Sequence, residues 1–563
     1  MRRGVSVVNK KVCSFPILFA LLALLIGTCA VVFPASAQAA PTSTGSITVS
    51  GTVASSYDAY QIFSANVIDG DKDAKIATDL AWASDAVRDA ALPVLHSAGM
   101  SKSQTTAQEA AEWLNTDSHL TSALSAQLAR SLQSSGAVFK ALNAGTTAEL
   151  PCGYWLIVAD DDAIAEGEAG TAPIMALVGG SAVTVKPKAA TPKVSKHVLE
   201  DSTAAWQKAA DATVADDLYW RLSATVPAGL TAYDTYTVQF VDTMSAGLDL
   251  SKVAASMRVY VAAGADGGFD AVSAGKDGRA GTEPAKGWTD ITAQCATKVA
   301  TDGKTFTVRT GDLIAALGGA DAFTAGARVV AVYDAPLNGA CNHGIAKGNP
   351  NEVYLRYPRS PFADQSGDAG FTRTPSDDAC AYTWDLALTK RGSDGDKPLA
   401  GAVLSIADDR GRTLSADGTW DAEGKATVTT GEDGRVTVSG VDSGKLEVRE
   451  LKAPKGYTAF EGTRSVTVKV EGLDVDQVAA AKPKLTITAE SPLRADSADG
   501  STGSLEASLI NTPTGTPPSI TTGGFMPSTG DMAMYAAAAA AVAGAALIVV
   551  ALLVKRGGGS HKE

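Results

Sequence analysis

Histidine and cysteine are scarce in this sequence, five and six residues in a chain of 563. No CxxC pair and no Cys/His spacing suggests a metal site. None of the histidines pairs with a Ser or Cys nucleophile, and no strand–GxxxxGK–helix context surrounds the glycine runs. Nothing therefore points to a cofactor, a metal or turnover of an external substrate. Basic residues are also in deficit: 48 Lys and Arg face 61 Asp and Glu, a formal charge of -13. With no basic stripe interleaved with aromatics, the composition argues against a nucleic-acid partner. The stretch "DGDKDAKIATDL", Asp69 to Leu80, has carboxylates at loop positions 1, 3 and 5. It lacks the glycine at six (Ala74) and the glutamate at twelve (Leu80), so it reads as an acidic surface turn and not a calcium loop.

Long apolar runs are missing except at the two ends. Near the start, Arg2, Arg3, Lys10 and Lys11 precede "FPILFALLALLIGTCAVVF", and "ASAQAA" offers small-residue cleavage sites. Residues 1–40 are a secretory signal peptide and are set apart from the fold. Near the end, Met532 to Val554 is 23 residues without a charge. At roughly 1.5 Å per residue that is long enough to cross a bilayer core of about 30 Å. Lys555 and Arg556 follow, which puts the tail in the cytoplasm and everything before the helix outside. Cys13 and Cys29 leave with the leader. Cys152, Cys295, Cys341 and Cys380 remain where disulfides are permitted. Four cysteines allow three pairings, and Cys341 with Cys380, which bracket the end of one domain, is the favoured one.

The exported part is expected to be mostly β, with tandem immunoglobulin-like sandwiches behind an α+β domain. Residues 41–188 open with strands "SITVSG" and "YDAYQIF", then turn helical. Asp79 can cap "LAWASDAVRDAALPVL", and Thr106 to Glu109 ("TAQE") reads as a capping box. "LTSALSAQLARSLQ" is a further amphipathic stretch, after which "GYWLIVA", "APIMALV" and "SAVTVKPK" return to strand. Short strands with Gly/Asp turns fill 189–380, with a loose insertion around "AAGADGGFDAVSAGKDGRAG", and again 381–512. Residues 513–525 are a Thr/Pro/Gly spacer, and 526–563 hold "MPSTG", the apolar helix and the basic tail.

Strand parity then singles out six polar residues on apolar faces, since alternate residues share one side of a sheet. In the first sandwich Lys196 is in phase with Val194 and Val198. Asp242 is in phase with Tyr236, Val238 and Phe240, and Asn351 with Val353, Leu355 and Tyr357. In the second, Trp384, Leu386 and Leu388 lead to Lys390; Leu446 and Val448 lead to Glu450; Leu505, Ala507 and Leu509 lead to Asn511. A lone polar residue at a strand end reaches water and needs no explanation. The same order of lysine, acid and asparagine in two blocks does. Burial lowers a lysine's pKa and raises a carboxylic acid's, so the amine becomes a nucleophile and the acid can polarise the asparagine and pass protons to departing ammonia. The expected product is a Lys–Asn isopeptide bond, made once, tying the first strand of each sandwich to its last. The opening strand of 41–188 has no lysine, and no such bond is expected there.

These features resemble the sortase-assembled pilus subunits of Gram-positive bacteria, specifically the shaft (major) pilins, over essentially the whole precursor. "LEVRELKAPKGY" is similar to the family's E-box, with Glu450, Ala453, Pro454, Gly456 and Tyr457 matching and Leu446 and Leu451 departing. "KPLAGAVLSI" and "NTP" resemble the opening and close of a collagen-adhesin B-type domain, and "GNPNEVYLRY" the last strand of the isopeptide-forming middle domain. The resemblance implies bonds Lys196–Asn351, assisted by Asp242, and Lys390–Asn511, assisted by Glu450. Lys193 is an alternate nucleophile of opposite parity. Met526, Pro527, Ser528, Thr529 and Gly530 resemble a sorting motif (an LPXTG-like pentapeptide with Met for Leu), implying sortase cleavage between Thr529 and Gly530. "SAVTVKPK" resembles the pilin motif ending in Tyr-Pro-Lys, which carries the acceptor over to Lys188, with Lys186 as the rival. Implied partners are pilus-specific and housekeeping sortases, identical subunits in a head-to-tail polymer, peptidoglycan, a minor tip pilin and a host surface ligand. The second reading, from a different class, is a monomeric wall-anchored adhesin or basal pilin that displays the N-terminal domain.

Overall fold

The computed structural model describes residues 43–71, 74–116, 118–187, 191–214, 216–228, 230–264 and 287–515. The expected leader, Lys188, most of the expected insertion and everything after Gly515, including the expected sorting motif and the apolar run, lie outside the described residues. Among the described residues no helix is long and apolar enough to cross a membrane.

The chain folds as mostly β units in series. In the N-terminal unit the long strand Ser56–Asp69 pairs with Gly153–Ala159 on one side and with Lys75–Trp82 and Lys140–Asn143 on the other. Gly153–Ala159 is buried on both faces, which explains its unbroken apolar run. Leu156 and Val158 face helices Asp85–Ser97, Ala107–Asn115 and Ser122–Ser135, whereas Trp155 and Ile157 pack with Ile47 and Val49 of a small three-stranded sheet. The Thr106/Glu109 capping box is formed. Asp79, however, caps nothing. It sits inside strand Lys75–Trp82 with φ 55°, and the helix starts at Asp85 with Ser84 accepting from Val87 N–H at 3.2 Å. The long strand offers a row of unpaired backbone groups along that edge, and pairing them outweighs the local helical pattern of "LAWAS".

The middle unit is a sandwich of a six-stranded and a seven-stranded sheet. Trp220, Leu222, Val329 and Ala331 from one meet Phe240, Phe306, Val308, Val353 and Leu355 from the other. Lys196 lies on strand Val194–Glu200 of the first sheet. Asp242 and Asn351 lie on adjacent antiparallel strands of the second, Gln239–Met244 and Asn349–Pro358. Asn351 is therefore not on the final strand, contrary to the expectation from sequence: Asp377–Tyr382 follows and pairs beside it, with Asn351 opposite Ala379. The expected division at 380 falls inside that strand.

In the last unit, strand Trp384–Gly392 pairs in parallel with Ser504–Pro513, the final described strand, with Lys390 opposite Leu509 and Gly392 opposite Asn511. Gly444–Lys452, which carries Glu450, belongs to the facing sheet. The cores of the middle and last units are separate clusters, and the two are joined through Asp211. Its carboxylate accepts from Trp384 Nε1 and from Ser443 N–H, both at 2.8 Å. The N-terminal unit docks on the middle one through Arg130, which pairs with Asp234 at 3.1 Å, and through the Tyr357 hydroxyl, which donates to Gly167 O at 2.7 Å.

Candidate functional site: two buried lysine, acid and asparagine constellations

Alternation along each strand carries six polar side chains into the sandwich interiors. Lys196, Asp242, Asn351 and Lys390 are 0% exposed, Glu450 6% and Asn511 2%. Such burial is costly for charges and demands hydrogen-bond partners.

In the last unit all three groups meet directly. Lys390 Nζ contacts Asn511 Oδ1 and donates to Leu509 O at 3.4 Å. A single oxygen, Glu450 Oε1, accepts from Asn511 Nδ2 at 2.8 Å and lies 3.3 Å from Lys390 Nζ. The other carboxylate oxygen is fixed by the Phe460 N–H at 3.1 Å. Burial pulls the Lys390 amine down to about 8, against the pull of Glu450.

The middle constellation is built differently. Lys196 Nζ contacts Asp242 Oδ2, and burial lowers the amine to about 8 while raising the Asp242 carboxyl. Both shifts favour the uncharged pair. Between Lys196 and Asn351 stands Tyr333, whose hydroxyl lies 2.9 Å from Lys196 Nζ and 2.9 Å from Asn351 Nδ2. The same hydroxyl donates to Asp242 Oδ2 at 3.0 Å. Asp242 Oδ1 and Asn351 Oδ1 are buried without a hydrogen-bond partner among the described residues. Two orphan acceptors in one dry site fit a protonated Asp242, whose hydroxyl is the donor the site otherwise lacks. The lysine's backbone is clamped too. Its N–H donates to Asp377 Oδ2 at 2.7 Å and its carbonyl accepts from Lys208 Nζ at 2.9 Å. Lys193, the alternate nucleophile, is exposed, its backbone N–H on Thr225 Oγ1 at 2.8 Å.

Tyr333, Asp377 and Lys208 were not singled out from sequence. Tyr333 was legible in principle, because Val329, Ala331 and Tyr333 share a face on "RVVAVYD". A tyrosine at the end of an apolar series reads as core, and only the fold reveals that its hydroxyl meets three polar groups.

The remaining expected sites divide. Strand Val183–Val185 ends beside Lys186, which is exposed with Thr184 while Val185 is buried. Lys188 and Met526 to Gly530 lie outside the described residues. The Cys341–Cys380 bridge is not formed, and all four cysteines of the described part are free thiols. Cys380 belongs to the core of the last unit, whereas Cys341 packs on the core of the middle one. Cys341 instead lies 3.5 Å from His343 Nε2, and His343 Nδ1 lies 2.7 Å from Asp385.

Comparison with known proteins adds similarity at three levels. Residues 385–482 match the SpaA prealbumin-like fold domain. The chain is 30% identical over 143 residues to the trypsin-resistant surface T6 protein of Streptococcus pyogenes serotype M6, a stretch that is 24% of each protein. It thus spans about a quarter of the length of that curated relative. Among solved structures it is similar to the T6 backbone pilin of the same serotype, described as a modular three-domain structure (17% identity, 84% of this chain, 98% of that one, TM-score 0.45). It is also similar to the full-length major pilin SpaD of Corynebacterium diphtheriae (15% identity, 84% and 98% covered, TM-score 0.40).

Proposed function

We propose that this chain is the shaft subunit of a covalently polymerised surface pilus, stiffened by two autocatalytic Lys–Asn isopeptide bonds. The observation that carries the reading is the repeated burial of a lysine, a carboxylic acid and an asparagine in two separate sandwiches, each within a short reach of the others. In each, the neutral lysine attacks the asparagine Cγ, the bond from Cγ to Nδ2 breaks, and one proton passes from the lysine nitrogen to the departing one. Ammonia leaves and no co-reactant is needed. In the last sandwich Glu450 Oε1, close to both nitrogens, is suited to carry that proton. The dry interior keeps water from competing.

Assembly is read from the sequence. A sortase cysteine cuts Thr529–Gly530, and the threonyl acyl-enzyme passes to the amine of Lys188 on the next copy. The linkage is head to tail and does not close on itself, so it grows a filament. The Thr/Pro/Gly spacer keeps the motif extended, and the apolar helix holds the substrate at the membrane until the cut. The last subunit passes to peptidoglycan.

The test is the intact mass of the purified exported part, residues 41 to 529, after reduction. A deficit of two ammonias, mapped to Lys196–Asn351 and Lys390–Asn511, is expected; full mass would sink the internal bonds. Polymerisation is tested separately, because Lys188→Ala should abolish high-mass ladders while leaving the internal bonds in place. Ladders that survive would move the acceptor, with Lys186 the next candidate.

A further inference from the structure

We propose that Tyr333 is the proton relay of the middle cross-link, standing between the attacking and departing nitrogens where Glu450 stands in the last sandwich. This rests on the isopeptide reading above and adds to it a group that the lysine, acid and asparagine pattern does not contain.

The geometry is the argument. In the last sandwich one oxygen, Glu450 Oε1, is within reach of both Lys390 Nζ and Asn511 Nδ2. In the middle sandwich the acid does not have that position. Among the described residues, Asp242 Oδ2 is engaged by Lys196 and by Tyr333, Asp242 Oδ1 has no partner, and Asn351 Nδ2 donates to the tyrosine. The oxygen equidistant from both nitrogens, at 2.9 Å, is Tyr333 Oη.

A phenol has one proton and two acceptor sites, and here all three are used. It accepts from Lys196 and Asn351 and donates to Asp242. Turned from Asp242 toward Asn351 Nδ2, that O–H can give its proton to the departing nitrogen and regain one from Lys196 Nζ, with Asp242 protonated and uncharged beside it. The C–N bond to Nδ2 breaks, ammonia departs, and Tyr333 ends as it began. Burial and the nearby Asp242 hold the phenol well above its usual range, so it stays protonated and able to donate. The ring is held by Phe306 edge-on, 4.9 Å between centroids, and Lys196 Nζ lies 5.5 Å from the ring centres of both Tyr333 and Trp220. The hydroxyl is therefore fixed before any reaction begins.

Tyr333→Phe keeps the ring and removes only the relay. Chains recovered unfolded are refolded by dilution, and intact mass is followed with time, the two bonds being distinguished by peptide mapping. The middle bond should form about 10²–10⁴-fold more slowly, the usual contribution of a positioned acid–base group. The last bond should keep its wild-type rate. Both bonds forming at wild-type rates in Tyr333→Phe would overturn the relay and leave the isopeptide reading intact. A wild-type protein lacking the middle bond would instead overturn the reading on which the relay rests. Trypsin resistance separates slow chemistry from failed packing, with Asn351→Ala as the folded reference that cannot cross-link. Equal resistance supports the relay, and a Tyr333→Phe middle sandwich cut faster than that reference assigns the tyrosine to packing and overturns it.

Discussion

At the scale of single residues, burial sets the chemistry of both constellations. A lysine whose amine falls to about 8 is a nucleophile at ordinary pH, and its value is lowered first by desolvation and only partly restored by its acid. Glu450→Gln keeps the shape of the acid and its anchoring by the Phe460 N–H but cannot take a proton. It should slow the last bond by about 10²–10⁴-fold and leave the middle bond unaffected, read as retention of one ammonia. A complete mass deficit in Glu450→Gln would remove Glu450 from the proton path. The lysine shift also has a stability consequence with a definite sign. In Asn511→Ala, Lys390 stays free and buried, with a folded pKa below its unfolded value. The unfolded chain then binds more protons between about pH 8 and pH 10, so stability should rise with pH through that window. Denaturant melts of Asn511→Ala against the same variant carrying Lys390→Met should show the rise only where the lysine is present.

At the scale of elements, strand pairing decides which local signals survive. "LAWASDAVRDAAL" has helical periodicity throughout, yet its first part becomes strand Lys75–Trp82 because Ser56–Asp69 needs a partner at that edge. The short strand Ala209–Asp211 has a different importance. It pairs in parallel with Asp377–Tyr382 and delivers Asp211 to the junction with the last unit, beside Glu200, Asp201 and Asp442. Burial, and then the neighbouring carboxylates, hold Asp442 well above the carboxylate range, and Glu200 is raised for the same reasons. Of the nearby arginines, Arg412 pairs with Asp216 and Asp408, and Arg410 with Asp216 and, at the edge of the cluster, with Asp201. Acids raised in the fold contribute stability that is present at low pH and lost as pH climbs through their folded values. The junction should thus be firmer near about pH 5 than near about pH 8. Asp442→Asn should raise the melting temperature at the higher pH and flatten the dependence, whereas an unchanged pH profile would mean that the cluster is relaxed by solvent.

At the scale of the whole molecule, the units follow one another along the chain, and each proposed cross-link spans a large part of its sandwich. Lys390 and Asn511 are 121 residues apart in sequence. Closing a loop of roughly 100 residues withdraws about 4.7 kcal/mol of freedom from the unfolded chain, by analogy with a disulfide. Each kilocalorie is worth roughly 4–8 °C in a domain of about 100 residues, so Asn511→Ala should lower the last unit's melting temperature by on the order of 20 °C. Calorimetry resolves this as the loss of one high-temperature transition, and a shift of only a few degrees would mean that no covalent link had been present. The two links differ in direction: the last lies between neighbouring parallel strands of one sheet, and the middle one ties the two sheets across the core. Force along the chain would load the first pair as a shear clasp and the second as a rivet through the sandwich.

What the sequence determined by itself is the period-two alternation that puts Lys196, Asp242, Asn351, Lys390, Glu450 and Asn511 on apolar faces, because side-chain direction in a strand is a local property. The capping box at Thr106 is local in the same sense. What only the tertiary structure decided is who meets whom. Asn351 sits on a strand that is not the last of its unit, because Asp377–Tyr382 adds itself to the same sheet. Cys341 and Cys380 pack with different cores, and no bridge joins them. Tyr333, an ordinary core aromatic by pattern, has its hydroxyl among three polar groups supplied by three other strands. Contacts of that kind join residues far apart in the chain, and no periodicity within a single strand encodes them.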